Sequence, residues 1–136
     1  MNEMKTEKTE PRMSVLDLLL RPELPNVQKT LPTAKYRVKR LSELAGEDVV
    51  FTLRGLPYGK VQELKESTGE FNVLVTLAGV ADPDFKAPRL AEKYGGVTPA
   101  ETVKAMLLPG EIEDISRAVE KLCGYRSATI EEVKNA

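Results

Sequence analysis

At 136 residues the chain has the length of one domain, enough for a modest core and too little for two independent ones. Hydrophobic residues make up 41% and charged residues 30%, which excludes global disorder and a membrane-embedded fold, and no run approaches the roughly 20 apolar residues that cross a bilayer. The net charge of −1 conceals a division: through Arg40, nine Lys/Arg less five Asp/Glu give +4, and beyond it eleven less sixteen give −5. Recognition of an oppositely charged partner is one reading of that polarity, and a solvated arm that keeps the chain in solution is the commoner one.

The opening MNEMKTEKTEPRM lacks the apolar run of a secretory signal, so a cytoplasmic location is expected, and residues 1–13, with little to bury, are expected to be disordered. Residues 14–34 follow as a short helix and a connector. Ser14 and Asp17 frame SVLDLLLR, which crowds Val15, Leu16, Leu18, Leu19 and Leu20 onto a turn or two of helix. Such a helix is marginal alone, and burial of each large aliphatic side chain is worth roughly 1.5–3 kcal/mol, so docking is expected. These five residues are the candidate partner-docking set. The segment either folds back onto its own domain or seats in a neighbouring copy or another protein. Pro22, Pro25 and Pro32 then predict a stiff, extended connector.

Residues 35–125 carry the folded domain. Tyr36 and Val38 alternate with Lys35, Arg37 and Lys39, which predicts a strand over 35–41, and Val49, Phe51 and Leu53 predict a second over 48–53, with 42–47 as the link of an antiparallel hairpin. Lys35, Arg37, Lys39 and Arg40 form a basic stripe, for which a solvated strand face is the simpler account than nucleic-acid contact. Pro57 opens a helix with Tyr58, Val61, Leu64 and Thr68 on one side and Gly69 as its stop. Residues 70–82, EFNVLVTLAGVAD, fit both periods. Phe71, Val73, Val75 and Leu77 alternate, whereas Phe71, Leu74, Leu77, Ala78 and Ala81 share a helical face; length and the Asp82-Pro83 signal that follows favour a central buried helix. Helix is expected to resume from Asp84 to Lys93, broken at Pro88 and ended by Gly95-Gly96.

The last pair of helices is the clearest. Thr98 caps, Pro99 takes the first position and Glu101 completes a capping box, with the helix running to about Leu108. Pro109 and Gly110 break it, and Glu111, Glu113 and Asp114 supply first-turn charge to a second helix whose Ile112, Ile115, Val119 and Leu122 form one buried stripe. In 126–136, Thr129 and Glu132 suggest one more capped turn anchored by Ile130 and Val133. The fold class is therefore mainly α with a small antiparallel β-hairpin (α+β), a compact helical domain with an extended amino-terminal arm.

No set of residues converges on chemistry. A lone Cys123 rules out an internal disulfide, and the lack of histidine removes the commonest metal ligand and general base. Asp82 and Asp84, and Glu111, Glu113 and Asp114, are better explained as helix-start carboxylates than as metal ligands or an acid/base pair. Gly95-Gly96 and Gly110 lack the spacing and lysine of a phosphate loop. No catalytic, cofactor or metal site is assigned, and an enzyme is not expected.

The ordered pieces Leu-Ala-Gly-Val-Ala-Asp-Pro-Asp at 77–84, Leu-Ala-Glu-Lys-Tyr-Gly at 90–95, Thr-Pro-Ala-Glu at 98–101 and Leu-Leu-Pro-Gly-Glu-Ile at 107–112 carry a family resemblance. With Arg-Leu-Ser-Glu at 40–43 and Val-Phe-Thr-Leu-Arg at 50–54, they resemble the XkdN-like tail assembly chaperones of contractile-tailed phages and PBSX-type prophages. The resemblance spans roughly residues 35–125. It implies a non-enzymatic factor that binds the tape measure protein, keeps its apolar helices from aggregating and helps tail tube subunits assemble, with self-association open and neither nucleic acid nor membrane as a partner. The rival is a small nucleic-acid-binding or regulatory protein, since 98–122 has the outline of a helix-turn-helix. Its acidic second helix is the wrong charge to meet phosphates.

Overall fold

Apolar spacing and punctuation place most elements where the sequence puts them. The structure, a computed structural model, describes residues 13–134. The expectation of disorder over 1–13 thus lies, Met13 apart, outside the described residues. The chain divides into two units at Thr30/Leu31.

In the first unit, helix α1 spans Val15–Leu19, with the Ser14 hydroxyl accepting a hydrogen bond from the Asp17 amide at 3.0 Å. The proline-rich stretch after it is a series of turns instead of an extended rod. Leu24 N donates to Arg21 O, Thr30 N donates to Asn26 O, and the Asn26 side chain accepts from Gln28 N at 2.9 Å. Asparagine at 26 supplies the local acceptor that bends the chain, an effect that counting prolines does not capture.

The second unit contains strands β1 (Thr33–Arg37), β2 (Val50–Arg54) and β3 (Val80–Asp82), in the antiparallel order β1-β2-β3. Its helices are α2 (Lys39–Ala45), α3 (Tyr58–Glu66), α4 (Phe71–Gly79), α5 (Pro88–Tyr94), α6 (Pro99–Met106) and α7 (Pro109–Leu122). The expected mainly helical α+β class is what the structure has.

The boundaries that differ from expectation have identifiable causes. Strand β1 stops at Arg37, and 39–45, expected as strand and link, form α2. Its Ser42 hydroxyl is buried and accepts from Val49 N at 2.8 Å, and Gly46 closes it with φ of 74°, the left-handed region open to glycine. The ambiguous segment is helical to Gly79, as chosen, but Val80–Asp82 then pairs with β2, Val80 opposite Leu53, and becomes an unforeseen third strand. Pro88 opens α5 instead of breaking it, and residues 84–87 form a turn in which Asp84 Oδ1 accepts from Lys86 N at 3.0 Å. Likewise Pro109-Gly110 begin α7, and α6 already ends at Met106. Among the described residues no helical turn follows Gly124, and Ile130 and Val133 are exposed.

The core lies between α4, α7 and the inner face of the sheet. Leu53, Val103 and Val119 are almost fully buried, joined by Val73, Val75, Ile112 and Ile115. Phe51 of β2 meets Phe85 edge-on, with centroids 5.8 Å apart and planes at 71°. Of the residues expected to share one side of their helix, Tyr58 faces solvent whereas Leu64 is buried. Gly79 lets α4 approach α7 closely: a Cβ there would lie 2.4 Å from Cγ2 of Val119.

Candidate partner-docking surface

All five candidate residues stand at α1: Val15, Leu16, Leu18 and Leu19 within it and Leu20 as its C-cap. Val15, Leu16, Leu19 and Leu20 are 64–72% exposed, and Leu18 is less so at 39%. Leu16, Leu19 and Leu20 are spaced i, i+3, i+4 and share a side, so the sequence that makes the turn also makes an apolar ridge. Asp17 sits in the first turn, where a helix dipole favours it.

In the second unit, the α6–α7 pair is locked by side-chain caps. Thr98 Oγ1 accepts from Glu101 N at 3.3 Å, and the Glu101 carboxylate accepts from Val97 N at 2.8 Å, one residue earlier than the expected box. The buried Thr102 hydroxyl donates to the Gly95 carbonyl at 2.9 Å. At α7 the N-cap is Leu108, which has no side-chain acceptor, so only half of a capping box forms: Glu111 Oε1 accepts from Leu108 N at 2.8 Å.

Glu111 has a second partner that the sequence reading missed. Arg40 of α2 grips it in a two-point fork, Nε to Oε2 and Nη2 to Oε1, both 2.9 Å, and Nη2 also donates to the Met106 carbonyl at 3.1 Å. One guanidinium thus joins α2, the C-terminus of α6 and the first turn of α7. The Arg40 hydrogen bond, helped by the Leu108 amide and opposed by burial, holds the Glu111 carboxyl below its ordinary range. The basic stripe is accordingly divided: Arg40 turns inward and Arg37 pairs with Asp48 at 2.8 Å. Any signal for this lay in the Arg-Leu-Ser-Glu segment, read as helix with its first residue facing inward.

The carboxylates weighed as chemistry stay apart or serve the backbone. Asp84 accepts in its turn, Glu113 pairs with Arg117 one turn on, and no three His, Cys, Asp or Glu side chains converge as metal ligands among the described residues. Cys123 Sγ, half-buried, accepts from Leu56 N at 3.1 Å. Beside it, buried and half-buried side chains from α3, α4 and α7 line an apolar cleft of about 270 Å³ that no local pattern in the chain announces. No described helix is long and apolar enough to cross a membrane.

The second unit is a small α+β fold, and the first carries the apolar ridge of α1. Residues 67–136, just over half the chain, match the family of phage XkdN-like tail assembly chaperone proteins, and the chain belongs to that family. The match runs from the end of α3 through α7 to the C-terminus, so it takes in the core helices and the capped α6–α7 pair. The chain is also similar in fold to the crystal structure of the protein yqbn, with a TM-score of 0.61 at 23% identity, covering 79% of this chain and 94% of that one. No curated protein matches it.

Proposed function

We propose that this chain binds the tape measure protein of its phage or prophage in the cytoplasm of the bacterial host, covers that protein's apolar helices, and assists assembly of tail tube subunits around it. The observation that carries the reading is the α1 ridge: a helix too short to be stable alone, with Val15, Leu16, Leu19 and Leu20 open to solvent, in a member of a tail assembly chaperone family. Leucines at i, i+3 and i+4 suit a partner helix that carries its own apolar stripe, and covering such stripes suppresses aggregation without any reaction. The work of the second unit is then to hold a rigid body, fixed by the Arg40–Glu111 fork and the Thr98 cap, from which the arm acts.

The test is co-expression with a tape measure protein from the same phage or prophage. Soluble tape measure protein should rise with the wild-type chain and fall back toward the level without it when Leu19→Asp is introduced. Equal solubility with and without this chain would refute the proposal.

A further inference from the structure

The cleft beside Cys123 is lined by Leu56, Val61, Phe71, Val75, Cys123 and Tyr125, contributed by the segment before α3, by α3 and α4, by the C-cap of α7 and by the turn after it. Its polar groups are engaged locally. Leu56 N donates to Cys123 Sγ, Arg126 Nε donates to Glu120 Oε1 at 2.8 Å, and the Lys65 ammonium lies over the Tyr125 ring, 5.5 Å from its centroid. Small-molecule pockets span about 300–1,000 Å³ and present convergent polar groups, so at about 270 Å³, with its polar atoms already paired, this cleft is built for a few aliphatic side chains.

The chain itself carries a segment of that description. Helix α1 is five residues long, about 7.5 Å at 1.5 Å per residue, and offers exposed leucines around a single carboxylate, Asp17. The rim of the cleft carries the Lys65 ammonium, opposite in sign to Asp17, while Arg126 is paired with Glu120. We infer that the α1 segment of one copy seats in the Leu56–Phe71–Cys123 cleft of a second copy, with Leu16, Leu19 and Leu20 in the apolar floor and Asp17 facing Lys65, giving a self-associated form in which the leucines are covered. This goes beyond the tape measure reading and does not depend on it, because it concerns this chain alone.

Cys123 provides a built-in reporter. A full-length chain carrying Leu19→Cys and Cys123→Ser is mixed with the wild-type chain under a mild oxidant, and a chain carrying Leu44→Cys and Cys123→Ser, changed at an exposed position of α2, serves as the control. The expected result is a mixed disulfide dimer forming several-fold faster with Leu19→Cys than with the control. Light scattering should show a dimer at high concentration that Leu16→Asp abolishes with the circular dichroism unchanged. Asp17→Lys and Lys65→Glu should each weaken the dimer about two- to fivefold, as an exposed ion pair does, and together restore it. A chain that stays monomeric at every concentration overturns the inference. So does equal cross-linking by Leu19→Cys and the control, or a chain with Leu19→Cys and the natural Cys123 that closes on itself as a monomer at any dilution.

Discussion

Replacing Gly79 with alanine probes the contact on which the whole second unit depends. The new Cβ would stand 2.4 and 2.6 Å from the two γ carbons of Val119 and 3.0 Å from its Cβ, where unstrained carbon contacts lie at about 3.5–4.0 Å. Val119 is fully buried in the middle of α7, and a helical valine has essentially one favoured rotamer, so the overlap of about 1 Å must be relieved by parting the helices. Overpacking of this kind costs about 1–3 kcal/mol. The gain in helix propensity, at most about 1 kcal/mol, is smaller here because Gly79 is the last residue of α4. Urea unfolding of Gly79→Ala should therefore show a lower midpoint at unchanged slope. Val119→Ala alone should cost about 1.5–3 kcal/mol from lost burial, and the double variant should be better than the sum by about 1 kcal/mol or more, because the new methyl enters the space the valine vacates. Additivity to within about 0.5 kcal/mol would refute the close approach of the two helices.

Protonation of Glu111 should destabilise the fold. Its carboxyl is held low by Arg40, so the unfolded chain takes up this proton first, and the pair's contribution is present above the ordinary carboxylate range and lost as pH falls through it toward the lower folded value. Glu111→Gln should be less stable than wild type at neutral pH and show a flatter melting temperature between about pH 5 and 3. Thr98→Ala should cost about 0.5–2 kcal/mol in urea unfolding, through the freed Glu101 amide at the start of α6. Leu19→Asp, at an exposed position, should change unfolding free energy by no more than about 0.5 kcal/mol while losing partner rescue; wholesale unfolding would place that leucine in a core.

What could be read from the chain follows from how local the causes are. The α6–α7 pair was legible because Thr98, Pro99 and the Ile112–Ile115–Val119 stripe each act within a turn or two of their own position. Prolines were ambiguous because the same ring that breaks a helix also suits its first position, and Pro88 and Pro109 both took the second role. Strand β3 was hidden since Val80 continues an apolar helical run, and only its pairing with Leu53 of β2, 27 residues earlier, makes it a strand. The Arg40 fork depends on a residue 71 positions away, beyond any periodic pattern. At the candidate surface, the leucines were evident from composition alone, whereas the cleft, assembled from four separate stretches, was not.

Under the proposed function, α1 covers apolar surface on another protein. Calorimetric titration of the purified chain with the tape measure protein, repeated over a range of temperatures, measures this most directly, because apolar burial gives a negative heat-capacity change on binding. The docking role of α1 requires such a change for the wild-type chain and its loss with Leu19→Asp, while both chains melt at the same temperature. Binding of equal strength and equal heat-capacity change with Leu19→Asp, or no binding by the wild-type chain, would contradict it.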